Sequence, residues 1–358
     1  MKTTLIVVLF ALLFSTIAFN IRAESLPSIK TLWGPAVKVK QVETPLIPNQ
    51  VYKVPANPDS GFSFPYFFSI SANFKTGQPI LVSPNNDGVV GVSKEQREYF
   101  ASILNEEMNW VFGRTLGVAS LSPAFPRPKL DTKNNNLYLH ALTRDAILTN
   151  DPQWKRVDQQ LLAMHSDLRK RLTSIGLTTE DKMLLYGFSA AADFITRFAA
   201  IHPNKVKALV AGGLGGLPIL PISHLDQERL TYPVGVGDFS LVIGKDFDQQ
   251  NFAKIPMLFA QGSIDENDSV PEGIDMQSRV NFGSDSYNFK QSQWINEHLG
   301  TKPINRLPIV QEAYRSIAPK DFAYITLLNE KHSDKKLKPI AVDFFQCVIS
   351  NSLPCANA

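Results

Sequence analysis

One stretch constrains the fold more than any other: MLLYGFSAAADFITRFAAIHPNKVKALVAGG, from Met183 to Gly213. Met183 to Tyr186 is a short apolar run of the kind buried on both faces of a sheet. Gly187-Phe188-Ser189-Ala190-Ala191 then makes a sharp turn. A helix follows from about Ala190 to Ile201, with Phe194, Phe198 and Ile201 at helical spacing. His202-Pro203-Asn204 stops it, because proline disfavours helix at the residue before it. Val206 to Ala211 reads as a second buried strand. Ser189 therefore sits at the apex of a strand-to-helix turn. Such a turn exposes the serine hydroxyl at the carboxyl edge of a sheet and aims neighbouring N–H groups above it. An ordinary turn serine is the plainer alternative. The strand-turn-helix-strand context favours a nucleophile.

This stretch resembles the nucleophile elbow of the α/β-hydrolase family, with Ala191 standing where the G-x-S-x-G string ends in glycine. The resemblance runs from about Ser69 to Ile349. It implies an α/β fold with a mostly parallel central sheet, helices on both faces and a lid-like insertion. It also implies an acid and a histidine, in that order, downstream of the serine. The run KIPMLFAQGSIDEND from Lys254 carries a strand and then a G-x-x-D turn. Asp265 is the acid this pattern favours, ahead of Asp268 and Glu266. Its task is to hold the histidine's tautomer and stabilise the imidazolium. His332 follows the apolar run Ala323 to Leu328 and precedes a helical segment. It is the base the resemblance implies.

The oxyanion hole implied by the resemblance takes one donor from the Ala190 N–H. The second comes from the loop Ser83-Pro84-Asn85-Asn86-Asp87-Gly88, with Asn85 or Asn86 as donor. Phe188, Leu214, Leu217 and His140 are the candidate substrate contacts. Between 212 and 252 the chain is rich in Gly and Pro, where the family often inserts a lid. Its apolar residues either roof the site or pack as core. The GGLGG run within it lacks the residues of a phosphate loop and reads as close-packed backbone. The sequence holds no H-E-x-x-H and no Cys/His metal cluster, so neither metal nor cofactor is expected.

The rest of the chain sets bounds. Hydrophobic content is 44%, and the net charge is only +3 with no basic run interleaved with aromatics, which argues against a nucleic-acid partner. Residues 1–23 read as a signal peptide: Lys2, an apolar run from Leu5 to Phe19, and small residues up to Ala23. That run is short for a membrane anchor, and no later segment is long and apolar enough to span a bilayer. Export, to the periplasm or the medium, is the expectation. The two cysteines, Cys347 and Cys355, can then pair, or remain separate thiols. Residues 24–68 read as an extended arm or edge strands, and 69–358 as the hydrolase domain. The expected function is cleavage of a small or polymeric carboxylic ester. NNDG, FPRP, YLHALTRD and TYPVGVGDF are loosely similar to exported hydrolases of the polyhydroxyalkanoate-depolymerase and feruloyl-esterase kind. A secreted peptidase or amidase, or a non-catalytic module of the same fold, are the alternatives.

The exported protein is expected to begin at Glu24. N-terminal sequencing of secreted material reads this directly, and a chain still starting at Met1 after export contradicts it.

Overall fold

Alternation decides how the sheet is covered. In the elbow strand, Met183 and Leu185 join one core cluster, while Leu184 and Tyr186 join another. Successive side chains of a strand point to opposite faces, so this strand is covered by helices on both. The computed structural model describes residues 37–42, 45–86, 91–127, 137–270, 286–352 and 354–355. The expected signal peptide lies outside the described residues, as do Asp87, Gly88 and Pro271.

The central sheet has nine strands. They are β1 (Val39–Gln41), β2 (Val51–Val54), β3 (Tyr66–Ile70), β4 (Leu81–Val82), β5 (Ala119–Pro123), β6 (Met183–Phe188), β7 (Val206–Gly212), β8 (Met257–Gly262) and β9 (Phe322–Leu327). Their spatial order is β1-β2-β3-β5-β4-β6-β7-β8-β9. All pairings are parallel except those that β3 makes with β2 and β5. The expected mostly parallel sheet is therefore present, with one reversed strand. The stretch expected as an arm or edge strands supplies β1, β2 and β3, with β1 at the edge. Two lysines flank Val39 on this outermost strand, and charge of this kind discourages edge-to-edge pairing.

Six longer helices flank the sheet: α1 (Lys94–Met108), α2 (Val157–Ser174), α3 (Ala190–Ile201), α4 (Phe289–Leu299), α5 (Pro303–Ser316) and α6 (Leu337–Ile349). Helix α1 starts in a capping box, with Ser93 and Gln96 each satisfying the other's backbone N–H. Met108 of α1 and Phe344, Phe345 and Val348 of α6 pack on one face of the sheet. Side chains of α2, α3, α4 and α5 join the cluster on the other. Among the described residues no helix is long and apolar enough to cross a membrane.

Helix α3 departs from a simple amphipathic reading. All twelve of its residues are buried. The short turn Leu139–Ala141 and the segment after β7 cover the side that faces away from the sheet. A helix enclosed all round belongs to the interior. Its polar side chains Asp193 and Arg197 are enclosed with it.

Cys347 and Cys355 form a disulfide across eight residues of separation. It fastens the tail to the end of α6, and the Cys355 N–H donates to the buried Asp321 carboxylate at 2.6 Å. Closing a loop this short constrains the unfolded chain modestly. Replacing both cysteines by serine is expected to lower the unfolding free energy by about 2–3 kcal/mol at most. Chemical denaturation of the variant measures this, and a loss well beyond that range would mean that the tail supports more of the fold than the bridge itself.

Candidate active site

The site is built where parallel strands end. Ser189 follows β6, Asp265 follows β8 by three residues, and His332 follows β9 by five. Because β6, β7, β8 and β9 run parallel, these positions share the carboxyl edge of the sheet.

Ser189 has φ 60° and ψ −132°, a conformation that a side-chain-bearing residue adopts only under constraint. Backbone bonds supply the constraint. The Ser189 N–H donates to the Gly212 carbonyl at 2.9 Å, and the Ala192 N–H donates to the Ser189 carbonyl at 2.8 Å. Gly187 is needed because a Cβ there would lie 2.5 Å from the Ala191 carbonyl oxygen. Residue 191, where the G-x-S-x-G string has glycine, tolerates alanine with its side chain buried. Among the described residues the Ala190 N–H, at the start of α3, has no hydrogen-bond acceptor. It is a free donor beside the serine at the positive end of a helix.

Asp265 and His332 meet directly: His332 Nδ1 lies 3.0 Å from Asp265 Oδ2. The Asp265 carboxylate is buried, and it also accepts from Gln261 Nε2 at 3.1 Å and from the Asn267 N–H at 3.0 Å. Three bonds zip the two loops together. Ser263 N–H donates to Leu327 O, Ile264 N–H to Glu330 O, and Asn329 N–H to Ser263 Oγ. Gly262 permits this crossing, since a Cβ would lie 2.4 Å from the Glu330 carbonyl oxygen. The Tyr186 hydroxyl of β6 reaches Asp334 at 3.1 Å and ties the histidine loop to the elbow strand. The His332 ring packs on Phe188, with ring centroids 4.7 Å apart. The imidazole thus stands against the residue before Ser189. Among the described residues no hydrogen bond joins it to Ser189 Oγ.

The competing acid has another partner. Asp268 receives two hydrogen bonds from Arg306, at 2.9 and 2.7 Å. Arg306 is buried and also donates to the carbonyls of Gly216 and Gly300. This forked pair ties the acid loop to α5. Sequence reading missed Arg306, which looks like any helix-surface arginine in a string. It also missed the enclosed group under Ser189. Arg197 donates to the Ala141 carbonyl and to the Tyr287 hydroxyl, and Asp193 accepts from the Ser286 hydroxyl at 3.1 Å. Burial raises the Asp193 carboxyl to about 7, against the pull of Arg197.

Other expected site residues fall elsewhere. The Asn85 side chain grips the backbone of Phe125, accepting from its N–H and donating to its carbonyl, both at 2.9 Å. It is buried, and its side-chain amide is taken up by the Phe125 backbone; this leaves the backbone N–H of the loop as the donor to be considered there. Asn86 does reach the elbow, with Nδ2 3.4 Å from the Phe188 carbonyl. His140 is wholly enclosed, its Nε2 2.8 Å from the Phe125 carbonyl, and it lines no open surface. Leu214 and Leu217 are core residues, each 1% exposed. With them Ile219, Leu220, Leu230, Tyr232, Val234 and Phe239 pack inward. These side chains of the 212–252 segment are therefore core, not the roof they could have formed, while Leu241 is exposed and Ile222, Leu225 and Phe247 are half-buried. The GGLGG run is close-packed, with Phe188 against Gly213 and Tyr287 against Gly216. Among the described residues no group of His, Cys, Asp or Glu gathers as a metal would require.

A strained serine between a strand and a helix, then an acid and a histidine in that order at the same sheet edge, decides the architecture. The chain has the α/β-hydrolase fold. No family model matches its sequence, and no curated protein does. Among solved structures it is similar to a poly(aspartic acid) hydrolase from Sphingomonas sp. KT-1, at 14% identity and TM-score 0.47, over 79% of this chain and 94% of that one. It is similar to a poly(3-hydroxybutyrate) depolymerase from Bordetella parapertussis, at 13% identity and TM-score 0.47, over 82% and 87%. A siderophore hydrolase from Aspergillus nidulans is similar at 11% identity and TM-score 0.43, over 88% and 98%.

The enclosed histidines give a pH signature. Burial pushes His140 down to about 3 from an ordinary 6.5, with the Phe125 carbonyl opposing weakly. A group depressed in the fold binds protons more readily when unfolded. Its contribution is complete above 6.5 and is lost as pH falls toward 3. Asp193 acts oppositely, its contribution fading as pH rises through about 7. Between pH 7 and 4 the wild type should therefore lose about 3 kcal/mol more than a His140→Gln variant. Denaturant titrations at both pH values measure this, and parallel losses would contradict a neutral, buried His140.

Proposed function

We propose that the protein is an exported serine hydrolase that cleaves carboxylic esters through Ser189, His332 and Asp265. The observation that carries the reading is the Asp265–His332 hydrogen bond at the edge where Ser189 is held at positive φ. With Nδ1–H donated to the carboxylate, Nε2 is left as the basic nitrogen. That tautomer is the one a general base needs, and the buried acid keeps it so.

In this mechanism His332 takes the Ser189 proton as the hydroxyl attacks the ester carbonyl. The carbonyl oxygen becomes anionic and is held by the Ala190 N–H and by Asn86. Donors of this kind are each worth about 10²–10³ in rate. The carbon–oxygen bond to the alcohol breaks as His332 returns the proton to the leaving oxygen. Water then repeats the sequence on the acyl-enzyme and frees the acid and Ser189. Phe188, which packs on His332, forms one wall of the reaction space. The disulfide supports the export half of the reading, since such bonds persist in oxidising surroundings.

The two nearby acids make a discriminating test. Asp265→Asn should reduce kcat on a p-nitrophenyl ester by about 10⁴, through loss of tautomer control. Asp268→Asn should act chiefly on stability, by removing a carboxylate from Arg306. Steady-state kinetics beside thermal denaturation separates the two effects. If Asp268→Asn costs more turnover than Asp265→Asn in folded protein, the acid is misassigned. Matched amide substrates belong in the same assay, and faster amide than ester turnover would make the enzyme an amidase.

A further inference from the structure

The strands that end in the site residues begin in lysines. Lys182 immediately precedes β6, and Lys207 is the second residue of β7. Lys254 lies three residues before β8, and Lys320 two before β9. Parallel pairing brings these beginnings to one edge. There the four lysines line a single recess of about 260 Å³. The strands are six or seven residues long. At about 3.3 Å per residue, the recess lies on the order of 20 Å from the catalytic edge.

Charge in the recess is unbalanced. Among the described residues Glu180 is the one acidic residue that lines it, so four lysines less one glutamate leave +3. Lys207 is paired with that glutamate at 2.6 Å. Lys254 donates to the side-chain oxygen of Asn251 at 3.0 Å and feels the nearby Asp248 carboxylate, which does not line the recess. Among the described residues, Lys182 and Lys320 have no carboxylate partner. Two helix ends oppose the lysines, since α3 finishes just before β7 and α6 finishes at the recess wall. Each contributes roughly half a negative charge. The excess is still about +2. Three asparagines, Asn204, Asn251 and Asn351, add amide groups to the same wall.

We propose that this recess binds a phosphate-bearing anion, apart from the hydrolytic site. A single carboxylate would leave the excess half-neutralised, whereas a phosphate group carries nearly two charges at neutral pH. Lysine ammoniums are compact point charges that suit a tetrahedral oxyanion, and the Asn204 and Asn351 amides donate to its remaining oxygens, the Asn251 amide being held by Asp248 and Lys254. The concavity suits a discrete phosphate more than a flat charged surface. Because the strands separate the recess from Ser189, occupancy tethers or retains the enzyme without blocking turnover. The phosphate is carried either by a soluble or polymeric ligand or by a lipid headgroup.

Calorimetric titration of the full chain with inorganic tripolyphosphate at 0.15 M salt tests this. The expected result is saturable binding at one site, weakened about tenfold or more in Lys182→Gln/Lys320→Gln. Both substitutions are at exposed positions, and ester turnover should be unchanged in the variant, which reports that it is folded. Co-sedimentation with phosphatidylglycerol vesicles, against phosphatidylcholine vesicles, separates the sources. Lysine-dependent sedimentation assigns the headgroup, and binding in solution alone assigns a soluble or polymer-borne phosphate. Absence of saturable binding by about 1 mM ligand, or equal affinity in the folded variant, overturns the proposal.

Discussion

The backbone of Ser189 is the constraint on which the rest of the carboxyl edge depends. A residue with a side chain at φ 60° and ψ −132° costs on the order of 1–3 kcal/mol. The fold holds it there by enclosing the helix that starts at the next residue. Helix α3 is buried on every side, and the Ser189 N–H is pinned to the end of β7. The chain can therefore neither relax the turn nor swing the helix away. Strain at one residue is stabilised by packing at twelve, and the hydroxyl is left where a reacting group can use it.

The same logic explains the division between two carboxylates three residues apart. Asp265 is enclosed and receives its hydrogen bonds from Gln261, Asn267 and His332, which fix its orientation. Asp268 faces a buried guanidinium and holds the loop against α5. Removing either partner of such a pair would strand a charge in the interior, which is costly. One acid thus holds the histidine while the other anchors the segment that carries both. Gly262 makes the arrangement possible by letting the histidine loop cross at backbone distance.

Much of this was legible in the residues. The elbow follows from a run of apolar residues, a glycine turn and a helical repeat, all local signals. The acid and histidine came from the α/β-hydrolase resemblance, and parallel pairing of the strands before them brings the two together. The features that escaped depend on contacts between distant segments. Asn85 looked like a turn residue with a spare amide, but Phe125, forty positions away, uses both ends of that amide. Leu214 and Leu217 carry no mark distinguishing roof from core, and only the fold shows them inside. The sheet-facing side of α3 was legible in Phe194, Phe198 and Ile201, but nothing local announces that Leu139–Ala141 and the segment after β7 cover its other side. The reversal of β3 was likewise invisible, since strand direction is set by connections and not by composition.

The central claim is that one serine is made nucleophilic by its backbone and by the histidine beside it. Labelling the folded protein with a fluorophosphonate, followed by peptide mass spectrometry, addresses it most directly. The account expects one adduct per chain, on Ser189, and no adduct in Ser189→Ala. Stoichiometric labelling of another serine, or undiminished labelling of that variant, would contradict it.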